Sequence, residues 1–307
     1  MRVSYPVVLI FGPTAVGKTR LLSRLFPGMA EIISADSMQV YRYMDIGTAK
    51  PSKEEREQIP HHLIDILNPD RQYNVGKFVH LADKLVPEIT ARNRIPVVSG
   101  GTAFYFVNFI YGLPETPPGD PIIRKKLKQE CDERGPEALF QELAAADPES
   151  AGRIGEKDTY RIIRALEVLR QTGRPLSRFK TGFKKREGYN FLTIGLQRSR
   201  EELYRRIDRR VDDMMKAGLK EEVVRLLGLG YTAADPGMRG IGYREFMQMR
   251  ADGCITLGDA AERIKQSSRK YAKRQIAFFK KICDVNWFHP EDFHGIGNRI
   301  NRFLSCG

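Results

Sequence analysis

Short apolar runs recur along the chain, and most are followed by a longer segment in which charged and apolar residues are mixed. The run at residues 7–11, for example, leads through a glycine-containing turn into the mixed segment 20–26. Runs of four to eight apolar residues are typical of buried strands, and mixed segments are typical of helices. Their alternation predicts an α/β fold with a parallel sheet flanked by helices. The predicted strands are residues 7–11, 31–34, 63–67, 95–99, 191–196 and 285–288.

A proline-rich segment interrupts this alternation. Four prolines fall within residues 114–121, a composition typical of a linker. Charged helical segments follow before the strand pattern returns, so we expect an all-helical insertion at residues 120–189. Residues 1–119 and 190–307 would then form the α/β core. The predicted helices are 122–133, 136–146 and 158–170 in the insertion, and 53–58, 77–92, 201–217, 220–229 and 257–282 in the core.

The turn after the first predicted strand has the pattern G-x-x-x-x-G-K-T. It lies between a strand and a helix, which is the context that a phosphate-binding loop (P-loop) requires. Glycines let backbone N–H groups point inward, and the helix N-terminus and a lysine add positive charge. Magnesium usually accompanies the bound phosphates, and the last residue, Thr19, can ligate it. The predicted phosphate-binding residues are Gly12, Pro13, Thr14, Ala15, Val16, Gly17, Lys18 and Thr19.

Two further strand ends carry residues suited to chemistry at this loop. Asp36 follows the second strand, and ligands of such folds lie at the carboxyl ends of the strands. Asp36 is therefore a candidate general base or metal partner. The alternative is that Asp36 caps a helix, with Gln39 completing a capping box. The fourth strand ends in Gly100-Gly101-Thr102, whose glycines and hydroxyl suit close approach to phosphate.

The chain lacks the sequence features of a nucleotide hydrolase. A hydrolase normally has an apolar strand that ends on a magnesium-binding acid, whereas the strand before Gly100 ends on Ser99. Asp65 lies inside its apolar run, and no N-K-x-D guanine-binding motif occurs. Phosphate binding without these residues favours a small-molecule or nucleotide kinase, or a transferase with diphosphate as leaving group. An RNA-binding ATPase would also explain a basic chain, but it requires the missing acid.

Charge favours a polyanionic partner. The formal net charge is +13 and the sequence pI is about 9.6. Residues 263–281 contain eight basic residues and no acidic one, and residues 178–186 contain five more without an acid. Such runs fit contacts to phosphates along a nucleic-acid backbone. The alternative is a solvated helix face.

Cysteine spacing and hydropathy indicate the compartment. The four cysteines lie far apart, with no C-x-x-C pair and no histidine at ligand spacing, which favours reduced thiols over a zinc site. No apolar run approaches the ~20 residues of a membrane span. The N-terminal residues carry no cleavable signal pattern. We expect a cytoplasmic protein that does not interact with membranes.

Several motifs together resemble the bacterial tRNA dimethylallyltransferases (tRNA isopentenyltransferases, the IPP transferase family). The string A-D-S-M-Q-V-Y with D-I-G-T-A-K-P, at residues 35–51, is close to diagnostic. The resemblance covers some nine-tenths of the chain, whereas the P-loop motif alone is shared widely. The other motifs are G-G-T at 100–102, R-A-L-E-V at 164–168, G-I-G-Y-R at 240–244 and Y-A-K-R-Q at 271–275.

The resemblance implies a reaction and roles for the residues above. The family transfers a dimethylallyl group from dimethylallyl diphosphate to the N6 amine of the adenosine 3′-adjacent to certain anticodons, using magnesium. By resemblance Asp36 accepts the amine proton. Lys18, Thr19 with Mg²⁺, and Thr102 would act on the leaving diphosphate. An arginine of the segment 203–210 also meets the diphosphate, for which we favour Arg210, then Arg206; the alternative is contact with the tRNA backbone.

The resemblance also implies which residues contact tRNA. The family usually has Gln-Arg before its R-A-L-E motif, whereas this chain has Tyr160-Arg161, so a contact made by that glutamine is in question here. We expect a monomer, and a P-loop kinase is the alternative function. The expected tRNA-contacting residues are Asp36, Ser37, Met38, Gln39, Thr102, Arg124, Arg161, Arg164, Arg239, Gly242, Arg244, Lys273 and Arg274.

Overall fold

Parallel strands form the sheet on which the candidate site is built. The computed structural model describes residues 4–179, 184–252 and 256–305. Within them, the sheet has the strand order β3-β2-β4-β1-β5-β6, and every neighbouring pair is parallel. This confirms the predicted fold class. The strands are β1 (Tyr5–Phe11), β2 (Ala30–Ser34), β3 (His61–His62), β4 (Ile95–Gly100), β5 (Tyr189–Leu196) and β6 (Asn286–Phe288).

The central strand β1 is buried on both faces. Val8 is paired with Val97 of β4 on one side and with Leu192 of β5 on the other. A continuous apolar run, rather than an alternating one, is what a central parallel strand requires. The strand therefore brings the turn that follows it to the middle of the sheet's carboxyl edge.

Helices cover the sheet. Side-chain caps define several helix starts, as at the last long helix, where Thr256 and Asp259 form a capping box. The helices of the core are α1 (Lys18–Leu25), α2 (Lys53–Gln58), α3 (Val75–Ala91) and α4 (Ala103–Tyr111), then α9 (Arg200–Lys216), α10 (Leu219–Gly228), α11 (Arg244–Asp252), α12 (Leu257–Phe279) and α13 (Phe293–Ser305). Between them in the chain come α5 (Pro121–Arg134), α6 (Pro136–Ala146), α7 (Pro148–Ala151) and α8 (Thr159–Thr172).

The chain divides into two compact units, the second of which is Tyr111–Lys185. The sequence placed this helical segment at 120–189. The difference arises because the proline-rich segment packs within the helical unit: Arg164 donates to the Pro117 carbonyl oxygen at 2.6 Å. At the base of the insertion, the Arg186 amide donates to the Ile110 carbonyl oxygen at 2.9 Å, which ties the two chain ends of the core together.

The helical unit has its own apolar core. Leu127, Leu139, Leu143 and Leu166 are fully buried in it, one or more from each of its three long helices. One acid, Glu167, is also fully buried beside these residues. The unit thus buries a core independent of the sheet.

One predicted strand is wrong. Residues 63–67 do not continue β3, because Leu63 and Asp65 have positive φ values of 64° and 57°. Asp65 is held out of a strand by ion pairs with Lys50 and Arg56, at 2.6 and 2.9 Å. Leu63 and Ile64 are buried in a series of bends rather than in a sheet, whereas Ile66 and Leu67 are only partly buried.

The other findings concern bilayer crossing and disulfides. Within the described residues, no helix combines the length and the apolar character that crossing a bilayer requires. Of the described cysteines, Cys131 and Cys283 form no disulfide. Cys254 and Cys306, and residues 180–183 of the basic run at 178–186, lie outside the described residues.

Candidate active site

The phosphate-binding loop joins β1 to α1 and has the backbone of an anion site. Gly17 has φ 114°, a conformation that other residues rarely adopt, and no described side chain caps the helix that begins at Lys18. Gly12 is required for space, since a Cβ there would lie 2.8 Å from the Leu196 carbonyl oxygen. Ala15 also has a positive φ, of 62°. The first N–H groups of α1 therefore face the loop without an acceptor from a cap.

Lys18 lies within this loop, and its side chain is only partly exposed to water. Its Nζ donates to the carbonyl oxygens of Gly12 and Pro13 at 2.9 and 3.0 Å. Burial, and secondarily the positive charge of Arg210, lower the pKa of Lys18 to about 7, although the carboxylate of Asp36 opposes the shift. A bound anion would stabilise the charged form of this lysine.

Two arginines of α9 reach the loop in different ways. Arg206 is exposed and donates from Nε to the Ala15 carbonyl oxygen at 2.8 Å, which holds the strained residue of the loop. Arg210 is half-buried, and its guanidinium lies 3.5 Å from the Thr48 carbonyl oxygen. Burial lowers the pKa of Arg210, and the charge of Asp36 opposes this. Arg210 and Lys18 are thus two cations with one nearby carboxylate.

Asp36 stands at the end of β2 in a side-chain-stabilised turn. Its Oδ1 accepts from the amides of Met38 and Gln39 at 2.8 and 3.3 Å. The capping-box alternative is wrong, because residues 35–40 contain no helix and the Gln39 side chain donates instead to the carbonyl oxygens of Thr48 and Ala49. These bonds fix the Asp36 carboxylate at the cavity wall.

Thr102 connects the ends of β2 and β4. Its Oγ1 accepts from the Ser37 amide at 3.0 Å. The glycines before it are required by protein contacts rather than by phosphate: a Cβ on Gly100 would overlap the Ala35 carbonyl, and one on Gly101 would lie 2.5 Å from Nε2 of Gln275. Thr102 therefore holds the turn that carries Asp36.

A cavity of about 320 Å³ joins these elements. A second cavity, of about 700 Å³, also lies against the loop, and Lys18, Thr19 and Arg210 line both cavities. Apolar side chains form one wall of the smaller cavity, namely Ile207, Val211, Met214, Ile241 and Ile264. The site residues predicted from the sequence that line the smaller cavity are Thr14, Lys18, Thr19, Asp36, Ser37, Met38, Gln39, Arg210, Arg239, Gly242, Arg244 and Arg274.

Three arginines line this cavity near the surface. Arg239 and Arg274 are exposed, and Arg244 pairs with Glu245 at 2.9 Å. The turn between them is closely packed, since a Cβ on Gly240 would lie 2.3 Å from the Met38 methyl group. One cavity is therefore lined both by residues of the phosphate-binding loop and by these three arginines.

Two arginines of the helical insertion form ion pairs with its buried acid, Glu167. Arg124 and Arg164 donate to Glu167 Oε2 at 2.6 and 2.7 Å, and the Asp120 amide donates to the other carboxylate oxygen at 2.8 Å. Arg161 is 65% exposed and pairs with Asp158. Arg124 and Arg164 therefore also stabilise the helical unit.

Acidic residues of α9 pair with part of the basic run of α12, although the run itself contains no acid. Arg269 pairs with Asp208 at 2.5 Å and Lys265 with Asp212 at 2.8 Å, both acids of α9. Lys273 is exposed. Some basic residues of the run therefore pair with α9, whereas others remain exposed and positively charged.

Sequence reasoning missed two buried side chains that organise the cavity walls. Glu222 accepts from the amides of residues 45, 46 and 47 at 2.8, 2.8 and 3.1 Å, and it also accepts from the Tyr243 hydroxyl. Gln275 contacts the loop itself. The space-limited glycines Gly47 and Gly101 are the sequence signals for these contacts, since their Cβ atoms would overlap Tyr243 and Gln275.

The sequence is similar to those of known proteins along most of its length. The model of the IPP transferase family matches residues 39–282. The tRNA dimethylallyltransferase 2 of Geotalea uraniireducens is 46% identical over 97% of each chain. The tRNA dimethylallyltransferase of Borrelia turicatae is 45% identical over 93% of this chain and 95% of its own.

Solved structures agree. The full-length tRNA isopentenylpyrophosphate transferase of Bacillus halodurans superposes with a TM-score of 0.70 at 39% identity, over 98% of this chain and 97% of its own. A eukaryotic dimethylallyltransferase described as acting on tRNA gives a TM-score of 0.79 at 28% identity, over 98% of this chain and 78% of its own. The chain therefore belongs to the IPP transferase family, together with the tRNA dimethylallyltransferases.

Proposed function

We propose that this chain transfers a dimethylallyl group from dimethylallyl diphosphate to the N6 amine of the adenosine 3′-adjacent to the anticodon of tRNA. The relatives are named for such a transfer to tRNA, and family membership favours it over the kinase alternative. The observation that carries the proposal is that Asp36 and Lys18 line one cavity. A proton acceptor and a polyphosphate site are thereby adjacent.

The reaction balances with these groups. The N6 lone pair forms a bond to C1 of the dimethylallyl group, and the C1–O bond breaks, so that diphosphate leaves with the bonding electrons. The adenine amine is a weak nucleophile because its lone pair is delocalised into the ring. Asp36 accepts the N6 proton as the bond forms. Such a general base contributes about 10²–10⁴-fold to the rate.

Negative charge develops on the leaving diphosphate, and cations surround the loop that would bind it. The N–H groups at the start of α1, Lys18 and Arg210 stabilise that charge. Arg206 supports the loop from outside through Ala15. Thr102 holds the turn of Asp36 through the Ser37 amide. Arg210 is the better candidate for diphosphate contact, because it lines both cavities and is more buried than Arg206.

Magnesium fits this site as a partner of the diphosphate. Among the described residues, no cluster of three or more His, Cys, Asp or Glu side chains could hold a metal ion by itself. Thr19 is an exposed residue at the end of the loop, and Mg²⁺ characteristically binds few protein ligands together with phosphate oxygens and water. Bound in this way, Mg²⁺ would neutralise charge on the diphosphate, with Thr19 as its protein ligand.

The residues that line the cavity suit both substrates. The apolar wall formed by residues such as Ile207, Val211 and Ile264 fits a five-carbon hydrocarbon. The adenosine must leave its stack to reach Asp36. Ser37, Met38 and Gln39 face the same cavity and would contact the base. Gly242 and the arginines near the surface, Arg239, Arg244 and Arg274, would contact the RNA next to that base.

Other residues would hold the rest of the anticodon stem-loop. On α12 these are Lys273 and Arg274, and in the insertion Arg124, Arg161 and Arg164. The bonds of Arg124 and Arg164 to Glu167 leave part of each guanidinium for such contacts, since these side chains are 33% and 24% exposed. We expect the protein to act as a monomer in the cytoplasm, where tRNA is available.

Three parallel incubations test the proposal. The purified chain is mixed with Mg²⁺ and radiolabelled dimethylallyl diphosphate, with and without bulk tRNA, and separately with γ-labelled ATP. We expect label in tRNA that digests to N6-dimethylallyladenosine, and negligible ATP turnover. Labelled phosphate transferred from ATP to a small molecule, without prenylated tRNA, would support the kinase alternative instead.

A further inference from the structure

One buried side chain of α12 touches both loops at the catalytic end of the sheet. The amide of Gln275 accepts from the Thr14 N–H through Oε1 at 2.9 Å and donates from Nε2 to the Gly101 carbonyl oxygen at 2.7 Å. Gln275 is 4% exposed. Its orientation is determined by its partners, because one is a donor and the other an acceptor.

The two contacts connect segments that are distant in sequence. Thr14 belongs to the phosphate-binding loop after β1, and Gly101 belongs to the turn after β4 that continues into Thr102. The Thr14 N–H points at Gln275 and so does not join the inward-facing amides. At Gly101 a Cβ would lie 2.5 Å from Nε2, so the turn packs directly on the glutamine amide. Gln275 therefore sets the spacing between the two loops.

Neighbouring residues on the same face of α12 reinforce this position. Tyr271 lies one turn before Gln275 and lines the cavity, and the nearby side chains of Thr102 and Gln275 partly offset the rise in its pKa that burial causes. One turn after Gln275, Phe279 stacks on Phe11 at the end of β1, with ring centroids 4.5 Å apart. Residues spaced by four lie on one face of a helix. The helix is thus fixed beneath the strand whose end carries the loop.

We propose that Gln275 is a positioning residue for prenyl transfer, which holds the phosphate-binding loop and the Gly101-Thr102 turn at the separation that the reaction requires. The inference rests on the proposed function. Thr102 in turn holds the Ser37 amide next to Asp36, so a shift of the turn displaces the base relative to the diphosphate. A misplacement of about 1 Å can cost about 10²-fold in rate.

The test compares Gln275→Met with wild type in single-turnover prenyl transfer, with enzyme in excess over tRNA. Methionine has a similar length and cannot make either hydrogen bond. Gln266→Met is the matched control, because Gln266 is exposed on the same helix. We expect the rate constant of Gln275→Met to fall about 10²-fold, with tRNA affinity unchanged in filter binding and the reaction amplitude retained. The control variant should match wild type.

A separate measurement distinguishes positioning from folding. Urea titration followed by circular dichroism measures how much of each variant is folded, whereas the rate constant at saturating enzyme measures the reaction in the folded enzyme. A loss of folded protein together with a wild-type rate constant would show that Gln275 is merely structural and would overturn the inference. Tyr271→Phe provides a second variant that keeps the ring packing, and we expect a smaller loss in its rate constant.

A binding measurement tests the inference without catalysis. Calorimetric titration with inorganic diphosphate and Mg²⁺ should show weaker binding to Gln275→Met than to Gln266→Met, because the loop loses the bond that orients Thr14. Equal affinities together with equal rate constants would reject the positioning role. A wild-type chain that binds diphosphate but prenylates no tRNA would contradict the proposed function alone.

Discussion

The hydroxyl of Tyr243 donates to the carboxylate of Glu222 at 2.6 Å, and both side chains are buried. The same carboxylate accepts from three successive backbone amides, those of residues 45–47. Burial and the negative charge of Glu222 raise the pKa of Tyr243, so it remains a donor. One acid thereby fixes the turn whose next residue, Thr48, lies against Arg210 and Gln39.

Replacing this acid should destabilise the core. Glu222→Gln keeps the shape but loses the charge and one acceptor oxygen, so a buried donor is left unsatisfied. We expect a loss of about 1–3 kcal/mol in the free energy of unfolding, measured by urea titration. Glu221→Gln is the control, because Glu221 is the exposed neighbour on the same helix. Equal stability of the two variants would show that the four hydrogen bonds contribute little.

Asp36→Asn should separate catalysis from binding. Asparagine can still accept from the Met38 amide through an oxygen, which preserves the turn, but it cannot accept the N6 proton. We expect prenyl transfer to fall by about 10²–10⁴-fold, with tRNA affinity largely retained. Asp70→Asn, at an exposed position, should behave as wild type. Near-normal turnover of Asp36→Asn would exclude Asp36 as the base.

Apolar patterning predicted most of the fold because the central strands β1, β2 and β4 are buried along most of their length. It failed at residues 63–67, where ion pairs of Asp65 hold a turn, and it missed α4, α7, α11 and α13. The sequence of α4 is rich in aromatic residues of modest helix propensity, and α13 contains two glycines. Both helices are stabilised by packing, as at Ile296 and Ile300, and packing outweighs local propensity.

The sequence predicts the part of the site that is built from consecutive residues. A phosphate-binding loop is a contiguous motif, so residues 12–19 could be found from the sequence alone. Gln275 and Glu222 act across 261 and 177 residues respectively, at Thr14 and at residue 45. Such pairings follow from helix packing, which no motif encodes. Their trace in the sequence is a glycine opposite each of them, at Gly101 and Gly47.

Diphosphate affinity should depend on pH through Lys18. Its pKa is lowered to about 7 in the free chain, and the negative charge of bound diphosphate raises it. Below pH 7 the lysine is already protonated, whereas above pH 7 binding requires proton uptake. We therefore expect the affinity to fall as pH rises from 7 to 9, by at most about tenfold per unit. Calorimetry in buffers of different ionisation enthalpy would measure the proton uptake directly.

The ligand also titrates, so a control must separate the two effects. Lys18→Arg keeps a positive charge that does not titrate in this range. Its residual pH dependence reports the ionisation of diphosphate, and the difference between the two curves reports Lys18. If wild type and Lys18→Arg show the same pH dependence, the lysine is fully protonated in the free chain and this prediction is wrong.

The affinity for tRNA should fall as the salt concentration rises. The steepness of this fall should increase with the number of tRNA phosphates that α12 contacts. Arg269 and Lys265 are engaged by Asp208 and Asp212, so the exposed Lys273 and Arg274 should contribute more. Each phosphate contact adds about 0.7–0.9 to the slope of log affinity against log salt.

We therefore expect Lys273→Ala or Arg274→Ala to reduce that slope by about 1 in filter-binding assays at several salt concentrations. Lys77→Ala provides the control for loss of one charge, because Lys77 is exposed on α3 and bonds to the carbonyl oxygen of Gln72. An unchanged slope in both α12 variants would mean that this face does not contact RNA phosphates. The net charge of +13 would then act only as a long-range attraction, which salt screens without a fixed number of released ions.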